Sequence, residues 1–116
     1  FNKNIYPILK NSKLFVLTSE WEDPGFVLVE SMFSNKIVLS SDCESGPIDL
    51  IKNYENEFLY KKGDLEDFLK KFFEISDLLE KNQKQIRKIK LNAKITTKKF
   101  TLFRHFLNLK RCLIEL

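Results

Sequence analysis

Apolar and polar positions alternate between two rhythms along this chain. Residues 3–11 carry Ile5, Ile8 and Leu9 at helical spacing, with Pro7 near the start, where a helix tolerates it. Asn11-Ser12 breaks that run, and Leu14–Thr18 is then continuously apolar, as in a strand buried on both faces. After a polar loop, Ser19–Pro24, a helix is predicted from Gly25 or Phe26 to Ser34. Its apolar residues Phe26, Val27, Leu28, Val29, Met32 and Phe33 leave few polar faces, which predicts a largely buried helix. Asn35 suits the left-handed position just past its end. Ile37–Ser40 reads as a second buried strand, and Pro47 can open a short helix over 48–52 as its first residue. Phe58–Tyr60 reads as a third strand.

The remainder reads as helix. Asp64 is an N-cap candidate, with Asp67 three residues on where a capping box carries Glu or Gln. Leu65, Phe68, Leu69, Phe72, Ile75, Leu78 and Leu79 form an amphipathic stripe over 65–81. Ile86, Ile89, Leu91 and Ile95 continue it over 82–95, Thr96-Thr97 marks a break, and a last helix is predicted over 98–114. Strands alternating with helices imply parallel βα units and an α/β layered fold. In such sheets ligands bind beyond the carboxyl ends of the strands, near helix N-termini. Residues 18–26 follow a strand and open a helix, so they lie where a ligand is expected, with loop 41–47 beside them.

Composition narrows this picture. At 116 residues with 43% hydrophobic content, the chain is one domain or part of one, with enough apolar residues for a core. It begins Phe1-Asn2-Lys3 without an initiator Met, as a fragment would. No apolar run approaches the ~20 residues needed to span a bilayer, and no signal peptide is visible. Cys43 and Cys112 lack metal-ligand spacing and read most simply as two reduced thiols, as in a cytosolic protein, with a disulfide between them the alternative. The net charge of +4 conceals a split: residues 1–80 hold nine Lys/Arg against fifteen Asp/Glu, and residues 81–116 hold eleven against one. A basic helical tail can meet phosphates, an anionic membrane or an acidic partner, or can be a solvated face.

The chemistry concentrates in Glu22–Glu30, two acids eight positions apart around Pro24-Gly25. The backbone N–H groups of Gly25, Phe26 and Val27 are the unpaired donors of a helix start, suited to an anion. Gly25 has no Cβ to keep a ligand away. A carboxylate accepts hydrogen bonds only, and so suits hydroxyls. A helix start between two carboxylates therefore fits a diphosphate centre with a hydroxyl-rich group at each end, as in a nucleotide sugar. Each acid also has a bland reading, Glu22 as a solvated loop residue and Glu30 as a buried acid with a partner. Ser41 and Asp42 follow a strand and could reach a ligand or simply form the turn. Trp21 reads more readily as packing than as a stacking platform, and the Phe stripe at 68, 72, 100, 103 and 106 as core or interdomain packing. His105 has no visible partner for catalysis.

Five segments in order resemble one family. Phe15-Val16-Leu17-Thr18-Ser19, Glu22 through Met32, Ile37 through Cys43, Gly46-Pro47 with Asp49, and Asn56 through Tyr60 with Gly63-Asp64 are similar to retaining glycosyltransferases of family 4, with the GT-B fold and the E-x7-E motif. The similarity covers roughly residues 5–75 closely. It implies a Rossmann-like parallel sheet layered with helices, incomplete here, being the C-terminal portion of the second GT-B domain. Residues 1–97 would belong to the nucleotide-sugar-binding domain and residues 98–116 would form a closing helix packing toward an N-terminal domain outside this chain. By position, Glu22 would contact donor-sugar hydroxyls as the catalytic residue, Glu30 would hold the ribose, and Gly25, Phe26 and Val27 would meet the diphosphate or sugar. The implied activity is retaining transfer of a sugar from a nucleotide donor to a glycan or lipid-linked acceptor, without metal or other cofactor, in the cytoplasm, at the inner face of the membrane for many members.

Departures from the pattern are Asp23 where Gly is frequent, Asn35 for Gly, Ile37 for Pro, Asp49 for Glu and Glu57 for Gly. The Arg and Lys that neutralise the diphosphate come, in the family, from a segment upstream of these motifs. Alone, the chain is therefore expected to bind nucleotide weakly and to transfer no sugar. Two other readings compete: a GT-B nucleotide-sugar epimerase part, and a non-catalytic remnant whose basic helices 81–116 engage a partner or polyanion. A specific nucleic-acid fold is not supported, because no sheet interleaves aromatic and basic residues.

Overall fold

The computed structural model describes residues 3–114. The order is α1 (Tyr6–Asn11), β1 (Leu14–Leu17), α2 (Phe26–Phe33), β2 (Ile37–Ser41), α3 (Pro47–Leu50), β3 (Phe58–Tyr60), α4 (Leu65–Lys81), α5 (Gln83–Thr97), a 3-10 turn (Lys98–Phe100) and α6 (Leu102–Ile114). The strands form one parallel sheet in the order β1-β2-β3. Leu14 stands opposite Ile37 and Leu17 opposite Ser40, while Leu39 stands opposite Phe58 and Ser41 opposite Tyr60. All three strands therefore end together, at one edge.

Side-chain alternation along β2 builds two half-cores. Ile37 and Leu39, with Phe58 and Tyr60, pack against Ile75 of α4 and Ile86 and Ile89 of α5. Val38 points the other way, onto Leu28 and Met32 of α2 and onto Leu50 and Ile51. Leu28 and Met32 are fully buried, and burying each stabilises the fold by roughly 1.5–3 kcal/mol. α5 serves both layers, with Ala93 in the α2 cluster. The small side chain lets α5 approach α2, and the two helices are in contact.

Several boundaries follow from local chemistry. Asn35 takes φ 64° past α2, and its N–H and that of Lys36 bond back to the carbonyls of Met32 and Ser31, a Schellman closure. The Lys36 ammonium then donates to the carbonyls of Lys10 and Ser12 at the C-terminal end of α1. Pro47 opens α3 as predicted, but that helix stops at Leu50. The Asp64 carboxylate caps α4 through the Asp67 N–H at 3.0 Å. The Asp67 carboxylate does not complete a capping box; it accepts from the Lys61 N–H instead.

Four expectations are corrected. β1 is half-buried rather than buried on both faces, because it is an edge of the sheet among the described residues. α2 buries one face only: Phe26 and Phe33 are 59% and 56% exposed. The helix after Lys81 is a separate one, capped by Asn82 onto the Gln85 N–H. The break expected at Thr96-Thr97 falls at 98–101, because Thr97 is buried and still helical. α6 thus starts at Leu102; all of its residues are exposed, including Leu102, Phe103, Phe106 and Leu113. Among the described residues, no helix is long and apolar enough to cross a membrane.

One residue that the sequence showed only as a departure from a pattern proves structural. Glu57 is fully buried just before β3, and its Oε2 accepts the Val38 N–H at 2.6 Å. A side chain thereby supplies an acceptor where the β2–β3 ladder has not yet begun. Burial pushes the Glu57 carboxyl well above the usual carboxylate range, against the lowering effects of the Val38 N–H and Lys90. Lys90 is pushed down in turn, by its own desolvation and by Lys36.

Candidate functional site

The carboxyl ends of the three strands carry the two crossover loops on which the sequence reading centred. The first, residues 18–25, leads from β1 to α2. Its last residue, Gly25, is the N-cap of α2 in the left-handed conformation, φ 74° and ψ 43°. A side chain there would be strained. No side chain caps α2, and no acid lies in its first turn. The positive end of the helix dipole and the first-turn N–H groups are therefore left for an external anion. Gly25 itself is buried, while Phe26 is exposed and Val27 half-buried.

Glu22 lies beside this helix start. Its Oε1 accepts from the Ser19 hydroxyl at 2.5 Å. Its Oε2 lies 3.8 Å from where a Gly25 Cβ would stand. Glu30 sits about one turn into α2, half-buried, and among the described residues no hydrogen bond or ion pair engages its carboxylate. The structure thus brings Glu22 to Gly25 and leaves Glu30 unengaged on the same helix.

The second loop, 42–46, braces the first. The buried Ser41 hydroxyl donates to the Ser19 carbonyl at 2.5 Å. Gly46, at φ 152°, lies so close that a Cβ would stand 2.9 Å from the Pro24 carbonyl oxygen and 3.5 Å from the Glu22 Cβ. The Asp42 carboxylate reaches across to the segment after β3, accepting from the Lys62 N–H at 2.7 Å. Asp42 thereby ties the loop after β2 to the one after β3. Trp21, read as a packing residue, is 66% exposed instead. Phe68 and Phe72 join the core as expected, whereas Phe100, Phe103 and Phe106 are exposed.

Two clefts flank loop 18–25. One, of ≈ 290 Å³, spans the ends of all three strands and is lined by Thr18, Ser19, Ser41, Tyr60 and Lys62, among others. The other, of ≈ 300 Å³, lies between the starts of α2 and α3 and includes Phe26, Gly46 and Phe100. Neither Glu22 nor Glu30 lines either cleft. Sequence reasoning missed Lys62, a cation at this edge; its signal was its place two residues after β3 and just before Gly63. Burial pushes the Tyr60 phenol up, with Cys43 and Asp42 adding to the shift.

Residues 1–95 match the family described as glycosyl transferases group 1. The chain belongs to that family. Among curated members it is 41% identical over 61 residues to the lipopolysaccharide 1,6-galactosyltransferase of Salmonella typhimurium, covering 53% of this chain and 17% of that protein. It is 31% identical over 67 residues to the poly(ribitol-phosphate) alpha-N-acetylglucosaminyltransferase of Staphylococcus aureus strain COL, covering 58% and 14%. The matched part of the chain thus spans only about one sixth to one seventh of these relatives. Among solved structures, Anabaena Alr3699/HepE in complex with UDP-glucose superposes with a TM-score of 0.76 at 26% identity, over 98% of this chain and 31% of that one. The group 1 glycosyltransferase chain described here is a partial GT-B domain, and its parallel α/β sheet is the fold expected from its sequence.

Proposed function

We propose that this chain is the donor-binding part of a retaining glycosyltransferase, which moves a sugar from a nucleotide donor to a glycan or lipid-linked acceptor in polysaccharide or glycoconjugate biosynthesis. The observation that carries the reading is the start of α2. A left-handed glycine opens an uncapped helix at the carboxyl edge of a parallel sheet, with Glu22 beside it and an unengaged Glu30 one turn in. On this reading the backbone of Gly25, Phe26 and Val27 meets the diphosphate. Glu30 accepts from the ribose hydroxyls, and Glu22 accepts from the donor-sugar hydroxyls as the catalytic residue. The presence of UDP-glucose in the Anabaena relative supports a nucleoside diphosphate sugar as donor.

The reading needs positive charge near the diphosphate and no metal. Lys62 stands at the edge, and the balance comes from the N-terminal domain side of the enzyme. Residues 1–97 belong to the donor domain, and the exposed apolar face of α6 packs toward the N-terminal domain as a closing helix. The enzyme acts in the cytoplasm, at the inner face of the membrane.

Titration of the 116-residue chain with UDP and with GDP, followed by amide chemical shifts, tests the site. The shifts of Gly25, Phe26, Val27 and Glu30 move first if the reading holds. Perturbation centred elsewhere, or none at millimolar nucleotide, overturns it.

A further inference from the structure

The Glu22 carboxylate does not hang freely from its loop. Ser19 Oγ donates to Oε1 at 2.5 Å in a partly buried setting, as short as a charge-assisted O–H···O⁻ bond. The Ser19 carbonyl is in turn held by the hydroxyl of Ser41, whose side chain is 1% exposed and which stands at the end of the central strand. β2 is the central strand and is buried along its whole length, so Ser41 is anchored by neighbours on both sides of the sheet. Gly46 presses its backbone against Pro24 and the Glu22 Cβ from the other side.

We propose that Ser19 and Ser41 are positioning residues for Glu22, a two-hydroxyl relay that fixes the carboxylate to β2 so that Oε1 is committed and Oε2 is presented to the sugar. This rests on Glu22 being the donor-sugar contact, as proposed above. The physical argument is one of preorganisation. A glutamate on a loop has three rotatable side-chain bonds, and holding it in one orientation costs entropy at every encounter unless a neighbour holds it beforehand. A hydroxyl donor lowers that cost and also satisfies one acceptor, so that the other oxygen meets the ligand with a defined direction. The anchor must be stiffer than the loop, and a serine in the buried central strand is.

The test is turnover by the full-length gene product with water as the acceptor, the anomeric carbon exchanging its bond to the diphosphate oxygen for one to water oxygen, read as release of free sugar and nucleoside diphosphate from UDP-glucose, UDP-galactose, UDP-N-acetylglucosamine and GDP-mannose. Ser19→Ala should lower kcat roughly 10- to 100-fold, the worth of a hydrogen bond to a charged group, with KM for the donor changing less. Ser19→Thr keeps the hydroxyl and should recover most of the loss, and Ser41→Ala should fall between. In a Glu22→Ala background, Ser19→Ala should change nothing further, because its effect passes through Glu22. A merely structural serine would lower the Tm and add its cost in both backgrounds. Wild-type kcat in Ser19→Ala, or an undiminished effect in Glu22→Ala, overturns the relay while leaving the donor site standing. Full activity of Glu22→Ala, or no release from any of the four donors by the wild-type protein, overturns the donor-site reading and the relay with it.

Discussion

Two glutamates stand at opposite ends of the same parallel sheet and are treated in opposite ways. Glu57 lies at the edge where the strands begin, fully buried, with one oxygen on the Val38 N–H and the other without a partner among the described residues. Glu22 lies at the edge where the strands end, half-buried, with one oxygen on a serine and the other beside an uncapped helix start. The first carboxylate replaces a missing stretch of β-ladder and is driven toward its neutral form by desolvation. The second keeps a polar neighbour and an open side. The difference teaches that an acid's role here follows from which end of the strands it occupies. The buried Val38 N–H near the amino end must be matched within the fold. Backbone polar groups at the carboxyl end are bordered by helix starts that can face a ligand.

This contrast can be broken by substitution. The largest expected effect is functional: on the proposed donor-site reading, Glu22→Ala should reduce sugar transfer by the full-length gene product roughly 10²–10³-fold, the scale of removing one preorganised polar contact at a transition state. Thermal unfolding of the same variant should show a stability change of about 0.5 kcal/mol or less, as for a residue whose partners lie near solvent. Glu57→Ala should do the reverse. It leaves the Val38 N–H unmatched in the interior and opens a cavity, for a loss of about 2–4 kcal/mol in denaturant titration, while the nucleotide-induced shifts at Gly25–Val27 persist.

A smaller effect is expected at the contact between the two crossover loops. Gly46→Ala places a Cβ 2.9 Å from the Pro24 carbonyl oxygen at a φ that disfavours it, and should cost about 1–3 kcal/mol. Because that contact also touches the Glu22 Cβ, the Ser19 and Glu22 amide resonances should move in this variant; unmoved resonances would show that the loops are independent.

The smallest effect sharpens the account of Glu57. Its folded-state pKa lies above the unfolded one, so the folded chain holds the proton more tightly. The stabilisation this gives is complete below the ordinary pKa of 4.5 and is lost as pH rises through the folded value. Glu57→Gln keeps an acceptor for Val38 and removes the titration. Stability measured from pH 4 to 8 should therefore fall with pH in the wild type and fall less in Glu57→Gln, which becomes the more stable of the two toward pH 8. Parallel curves would show that Glu57 is ionised without penalty.

Much of this molecule is written locally. The three strands, the Asp64 cap, the Pro47 start and the left-handed Asn35 each depend on a few adjacent residues, and each was legible. The placement of the candidate residues was legible to the same degree: Glu22, Gly25 and Glu30 are close in sequence, and a strand-to-helix transition tells where such a stretch must lie. What the sequence could not determine depends on neighbours distant along the chain. β1 is half-buried because of its place at the edge of the sheet, and the break before α6 moved because Thr97 still packs in the interior. Trp21 is exposed although its composition argued for packing. Glu57 gained its role from Val38, nineteen residues away, and Ser19 gained its anchor from Ser41, twenty-two residues away. Periodicity and capping are properties of one segment, so sequence alone determines them. A hydrogen bond between loops of different crossovers exists only once the sheet has aligned the strands that carry them, so the tertiary structure alone decided which oxygen of Glu22 is held and which is left free.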